Sequence, residues 1–315
     1  MNRKIESFKE GERISTPLLV THVTKSIANN GSPYLTIQLQ DNTKTIEGRY
    51  WDVKPEIEKL IESGKVYLFE LEVIKYRDKF QAKISSALPM AENEYQKEDF
   101  IAQSPISHAT LEATINGAIC RINNINIARI VTAMMNHYQK EFYSYPAASK
   151  IHHEFIGGLA THTAGMLKLA EAICDIYPAL NRDYLYAGVI VHDLGKIEEL
   201  SSAVVTEYTT AGKLLGHISI CAARLLEIGK EIGLEDSEEL LILRHLVLSH
   251  HGQLEFGSPV RPETMEAEVL SYIDNIDARI NIISKALADV EEGEFSSRIF
   301  ALEGRTFYKL KNNKE

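Results

Sequence analysis

The sequence predicts a multidomain α+β protein: a five-stranded β-barrel, then a helical linker, then an all-α domain. Three observations carry that reading. From Thr16 to about Met90 the chain runs in short segments rich in Val, Ile, Thr and Tyr that alternate apolar and polar residues. Beyond residue 90 the apolar period becomes helical almost to the end. In the last half of the chain, histidines recur at or near the ends of successive helical segments.

The strand signals are LLVTHVTKSI, YLTIQLQD, TIEGRYWD, VYLFELEVIKY and FQAKISSAL, separated by the turn-forming stretches NNGSP, DNTK and RDK. VKPEIEKLIESGK, a short amphipathic helix signal ending in Gly64, falls between the third and fourth. Five strands with a helix in that place is the order of an OB-fold barrel, expected over residues 1–90. Residues 91–149 open acidic and then turn helical, reading as a linker closed at Tyr145-Pro146, because a proline disfavours helix at the residue before it. Residues 150–315 read as the all-α domain.

Composition bounds the function. A chain of 315 residues suffices for two domains, and no apolar run is long enough for a membrane span. The start, MNRKIESFKEGERI, lacks the apolar stretch and small-residue cleavage site of an export signal, so the expected location is the cytoplasm. Cys120, Cys174 and Cys221 have no paired spacing and read as small core residues. The net charge of −10 is uneven: residues 1–89 carry 14 Lys and Arg against 12 Asp and Glu, so the acidity lies in the remainder. An acidic domain stays compatible with an anionic substrate if metal ions supply positive charge.

The helical part holds His162, then His192-Asp193 with Lys196, then Gly216-His217, then His250-His251-Gly252, then Asp274 and Asp277. Any one of these alone is more often an ordinary hydrogen-bonded residue. Together they suggest one metal site, because buried imidazole and carboxylate groups need compensation that a cation provides. His192-Asp193 ends an apolar helix, RDYLYAGVIVHDLG, which places both in the interior. His152, His153 and Glu154 precede the first ligand, in HHEFIGGLATHT, and read as substrate contacts, His153 foremost. Asp277 reads as an ion-pair partner of a basic neighbour such as Arg279.

This order resembles the HD superfamily of metal-dependent phosphohydrolases over roughly residues 150–290. The resemblance implies metal ligation by His162, His192, Asp193 and Asp274, extended to a second ion by His217, His250 and His251; which of His250 and His251 ligates stays open. It also implies catalytic roles for Asp193 and Lys196, the lysine facing substrate phosphate. Nitrogen and oxygen donors without thiolate suit Mn²⁺, Fe²⁺, Co²⁺ or Mg²⁺, and the number of ligands implies two ions. The chemistry is then phosphoester hydrolysis by activated water.

OB barrels commonly bind single strands, stacking bases on aromatic side chains beside basic ones. Tyr34, Trp51, Tyr76, Arg77, Lys79 and Phe80 are the substrate-binding candidates, and Phe69 is expected inside the barrel. The whole arrangement, including HDLGK, SHHG and GSPVRPETMEA, resembles the YhaM-type 3′-5′ exoribonucleases. That resemblance implies Mn²⁺-stimulated release of nucleoside 5′-monophosphates from single-stranded RNA, with single-stranded DNA as a second substrate. Two other readings fit the same residues: an HD-domain nucleotide phosphohydrolase or cyclic-nucleotide phosphodiesterase with a regulatory barrel, and a non-enzymatic nucleic-acid-binding replication factor. The residues do not decide between a monomer and a homo-oligomer.

Overall fold

Strand alternation in the first third and helical periodicity in the rest sort into two units, residues 1–103 and 104–315, in the computed structural model, which describes residues 3–28, 31–77, 79–147, 155–201, 206–288 and 290–311. The first unit contains strands β1 (Arg13–Ile27), β2 (Pro33–Gln40), β3 (Thr45–Trp51), β4 (Val66–Tyr76) and β5 (Lys79–Pro89), with helix α1 (Pro55–Leu60) between β3 and β4. They close into a barrel in the order β1-β2-β3-β5-β4, antiparallel except for β3 against β5. Alternation decides which side chains fill it: Leu35, Ile37 and Leu39 of β2 point inward, with Tyr67, Phe69, Leu71 and Val73 of β4. Gly48 occupies an inward position of β3, where a Cβ would come within 2.6 Å of Ile84 Cδ1. The register shift between Val20 and His22 lets the long β1 pair with β4 at one end and β2 at the other.

The second unit is helical: α2 (His108–Cys120), α3 (Ile125–Phe142), α4 (Gly158–Ile176), α5 (Arg182–Val191), α6 (Lys196–Glu199), α7 (Thr210–Glu231), α8 (Glu238–Ser249) and α9 (Met265–Leu287). Side-chain oxygens of Ser107, Asn124, Asn181, Thr209, Ser237 and Thr264 cap the starts of six of them, satisfying backbone N–H groups that no helical turn can reach. α5 runs through the middle, and its stretch Leu185–Val191 is buried on every side. Gly188 admits Leu246 and Leu270 so closely that a Cβ would lie 3.1 and 3.3 Å from their methyl groups. The segment 91–149 does not behave as one piece. Residues up to 103 belong with the barrel, while α2 and α3 bury Leu111, Ile115, Ile127, Ile130 and Met134 in the helical core.

Two local features fix the course of α6 and α7. α7 is broken at Gly216, whose φ of 72° and ψ of 154° lie in a region essentially reserved for glycine. α6 is anchored through Glu198, which accepts hydrogen bonds from Arg224 Nε and Nη2, both at 3.1 Å, and from the Tyr138 hydroxyl. Of the cysteines, Cys174 and Cys221 are buried, but Cys120 is exposed, since it ends α2 on the solvent side; the expectation that all three are core residues is corrected there. No helix among the described residues is long and apolar enough to cross a membrane.

Gly216→Ala should lose about 1–3 kcal/mol in chemical denaturation through backbone strain; wild-type stability would show that the break is not strained. Burial alone would raise the Glu198 pKa, but the bonds from Arg224 and Tyr138 outweigh burial and hold it below the ordinary 4.5. Its contribution is therefore full above pH 4.5 and disappears as the pH falls through the depressed folded-state value. Arg224→Met should accordingly unfold at lower urea than wild type at pH 7, with the two midpoints converging in acid. A gap independent of pH would contradict this.

Candidate metal centre

Five helices and one turn supply the cluster. His162 lies on the second turn of α4, whose N-cap Gly157 has a left-handed φ of 77°. His192 caps the C-terminus of α5, followed at once by Asp193. His217 follows the break at Gly216. α8 ends at Ser249, and Gly252, at φ 76°, donates its N–H to Ser249 O at 2.8 Å and closes the helix there. Because the helix stops, neighbouring His250 and His251 both turn to the same site, with ring centroids 4.4 Å apart. Asp274 comes from α9.

The imidazoles are all held by the same atom. His192 Nδ1 donates to Val189 O at 2.9 Å, His250 Nδ1 to Val247 O at 2.7 Å and His251 Nδ1 to Phe256 O at 2.7 Å. A carbonyl only accepts, so each of these Nδ1 atoms carries the proton and each Nε2 presents a lone pair. His162 Nδ1 lies 2.6 Å from Asp277 Oδ2, and His217 Nδ1 lies 3.2 Å from Glu199 Oε1, carboxylates taking the place of the carbonyls.

What the Nε2 atoms face is Asp193. Its Oδ2 is 3.2 Å from His192 Nε2 and 3.8 Å from His162 Nε2, while its Oδ1 is 3.4 Å from His217 Nε2 and 3.7 Å from His250 Nε2. Asp274 Oδ1 stands 3.2 Å from His162 Nε2. Ligand atoms of His162, His192 and Asp193 lie within 4.8 Å of one another, and so do those of His217, His250 and His251. Nε2 of His192, His217 and His250 and Oδ1 of Asp193 are buried with no hydrogen-bond partner among the described residues. Orphaned buried lone pairs converging from nitrogen and oxygen are what a divalent cation satisfies, so the residues fit the group.

Charge is arranged accordingly. Burial would raise the Asp193 pKa, but Lys196 and the histidines outweigh it and hold the carboxyl well below the usual range. Asp274 is likewise held low against burial by His162. Burial and the neighbouring ring of His251 push His250 well down, and burial with His217 pushes His251 down, so both are neutral at pH 7. Burial disfavours the His162 imidazolium, but Asp274 and Asp277 outweigh it and raise its pKa to about 9. A cation held by His162 would have to displace a proton. Lys196 Nζ donates to Asp193 Oδ2 at 2.7 Å, which keeps the ammonium charged in spite of burial.

All seven residues expected as ligands thus meet in one place. Lys196 is beside them with one N–H already committed to Asp193. His153, expected to touch substrate, lies outside the described residues. His245 is not in the cluster; its Nε2 accepts the Glu263 N–H at 2.9 Å. Asp277 does not pair with Arg279, which instead reaches Glu303, because α9 turns the aspartate toward His162. Glu199 was not singled out by sequence, and nothing in its spacing from His217 marks it.

On the barrel, Tyr34 and Trp51 are cross-strand partners and stack at 4.6 Å between centroids, with Arg49 over the Tyr34 ring at 5.4 Å. Trp51 is exposed. Tyr76, Arg77, Lys79 and Phe80 lie at the β4–β5 hairpin, where Arg77 takes a left-handed φ of 48° and its guanidinium lies 5.3 Å from the Tyr76 ring centroid. Tyr76 and Phe80 are exposed, whereas Phe69 is fully buried.

An HD-domain family model matches residues 159–279. The 3′-5′ exoribonuclease YhaM of Bacillus pumilus (strain SAFR-032) is 46% identical over 310 residues, which is 98% of this chain and 98% of that one. Among solved structures, the second OB-fold domain of replication protein A from Methanococcus maripaludis aligns at 15% identity and TM-score 0.25, covering 29% of this chain and 97% of that one. RecG bound to a three-way DNA junction aligns at 16% identity and TM-score 0.25, covering 56% of this chain and 26% of that one. With identity of 46% sustained over nearly the full length of both sequences, this chain belongs to the YhaM family of HD-domain proteins.

Proposed function

We propose that the protein is a 3′-5′ exoribonuclease that hydrolyses single-stranded RNA to nucleoside 5′-monophosphates with two divalent ions. The observation that carries this reading is the Asp193 carboxylate, which turns one oxygen toward His162 and His192 and the other toward His217 and His250. One ion would be held by His162, His192, Asp193 and Asp274, the other by Asp193, His217, His250 and His251. Thiolate-free nitrogen and oxygen donors suit Mn²⁺ first, with Fe²⁺, Co²⁺ and Mg²⁺ as other occupants. Such a pair supplies Lewis acidity to the phosphodiester and lowers the pKa of the attacking water.

The chain's own groups do the rest. Asp193 fixes the spacing between the two halves, and Lys196 holds Asp193 ionised. An ammonium has three donors, and one is spent on Asp193, so two remain for oxygens of the scissile phosphate as charge builds on them. His217, His251 and Asp274 are the more exposed members of the cluster, whereas His162, His192 and His250 are fully buried. A phosphodiester would therefore approach over the edge formed by Asp274, His217 and His251, which spans both halves of the cluster.

The barrel's share is to hold the strand: Tyr34 and Trp51, with Tyr76 and Phe80, offer faces for bases, and Arg77 and Lys79 offer charge to phosphates. Stacking and backbone charge do not read the 2′-hydroxyl, so single-stranded DNA would be a second substrate. His153 is proposed to touch the substrate on the strength of its sequence position alone, and the cytoplasm is the proposed location.

A 5′-labelled single-stranded RNA incubated with EDTA-stripped protein should remain intact, and added Mn²⁺ should produce a ladder shortening from the 3′ end. Asp193→Ala should slow that ladder by about 1000-fold or more, as several kcal/mol of transition-state stabilisation would require. Intact RNA alongside hydrolysed mononucleotides would replace this reading with a small-substrate phosphohydrolase. Trp51→Ala should cost about 1–3 kcal/mol of RNA affinity, read as a raised KM on RNA with unchanged turnover of bis-p-nitrophenyl phosphate. An unchanged KM on RNA would remove Trp51 from the binding face.

A further inference from the structure

Two acidic side chains stand behind histidines of the cluster rather than among its converging atoms. Asp277 Oδ2 meets His162 at Nδ1, 2.6 Å away, on the ring edge opposite the Nε2 that faces Asp193 and Asp274. Asp274 and Asp277 are three residues apart on α9, so they share a face of the helix and bracket the one imidazole from two sides. Glu199 Oε1 lies 3.2 Å from His217 Nδ1 and also accepts the His217 backbone N–H at 3.0 Å. The other three rings are held by neutral backbone carbonyls. The two carboxylates are thus divided, one to each half of the cluster.

The packing is cut to admit both. A Cβ on Gly165 of α4 would fall 2.7 Å from Asp277 Oδ1, so a side chain there would dislodge the aspartate from His162. A Cβ on Gly212 would fall 2.2 Å from Glu199 O, and one on Gly195 2.2 Å from His217 O. The turn after Asp193 and the start of α7 can therefore lie close enough for Glu199 to seat against His217.

We infer that Asp277 and Glu199 are positioning residues, each orienting one histidine and strengthening its Nε2 as a donor, so that each sets the affinity for a divalent ion in its own half of the cluster. The physical basis is general. A carboxylate accepting the proton of one ring nitrogen fixes the tautomer and pushes electron density to the other, and losing such a partner costs a metal site about 10–100-fold in affinity. A carbonyl fixes the tautomer with less charge behind it. The inference rests on the two-ion reading above and makes no use of the RNA substrate.

The test is a Mn²⁺ titration of the metal-stripped full chain, with free Mn²⁺ read by electron paramagnetic resonance, which counts ions and yields a dissociation constant for each. Wild type should take up two ions. Asp277→Asn should weaken one of them about 10–100-fold and leave the other, and Glu199→Gln should do the reverse. The Asp277→Asn effect should vanish in a His162→Ala background and the Glu199→Gln effect in a His217→Ala background, because each carboxylate acts only through its histidine. Thermal unfolding of the stripped proteins checks that the variants fold, and Gly165→Ala, which keeps Asp277 but displaces it, should reproduce Asp277→Asn. Two ions bound by both variants at wild-type constants, or either variant weakening both ions alike, would overturn the inference while leaving the two-ion reading intact. Uptake of a single ion by wild type would overturn both.

Discussion

An ionised carboxylate sits in the middle of a helical core, and the second unit is organised by what that demands. Asp193 is almost fully buried, and removing such a group from water costs several kcal/mol unless opposite charge and hydrogen bonds surround it. Lys196 meets one oxygen, and four imidazoles face the two of them. These partners are polar and buried themselves, so each calls for a partner in turn. The requirement passes outward through Nδ1 atoms to Val189, Val247 and Phe256 carbonyls, to Asp277 and to Glu199.

The backbone devices make sense as answers to that requirement. The end of α8 at Gly252 turns two successive residues to one side. The break at Gly216 restarts α7 so that His217 begins a helix with its backbone N–H still free for Glu199. Closely packed glycines at 165, 195 and 212 bring the second layer of carboxylates within reach. Around these, α5 supplies an apolar axis whose end carries His192 and Asp193 out of the core helix and into the cluster.

Much of this was legible in the residues, for identifiable reasons. Period-two alternation marked the five strands because a barrel has one wet and one dry face, and the closed order β1-β2-β3-β5-β4 follows the expected arrangement. The histidines and aspartates were visible because polar residues on otherwise apolar helices stand out. What alternation and spacing do not carry is contact between residues far apart in sequence. Asp277 looked like a partner for nearby Arg279, and only the crossing of α4 and α9 gives it to His162. Glu199 has no mark at all, since its role comes from the approach of α6 to α7. Likewise, α2 and α3 read as a linker because their periodicity says that they have a buried face and not what buries it.

The cluster and the carboxylates behind it run from His162 through to Asp277, and the hydrogen bond between those two spans 115 residues. No stretch of the chain emerging during synthesis holds more than part of the constellation until α9 has been made. Nor does any fragment cut between α4 and α9 retain it. The complete constellation is therefore a property of the finished helical unit, and a half-made or clipped copy lacks at least one of the groups that converge in it.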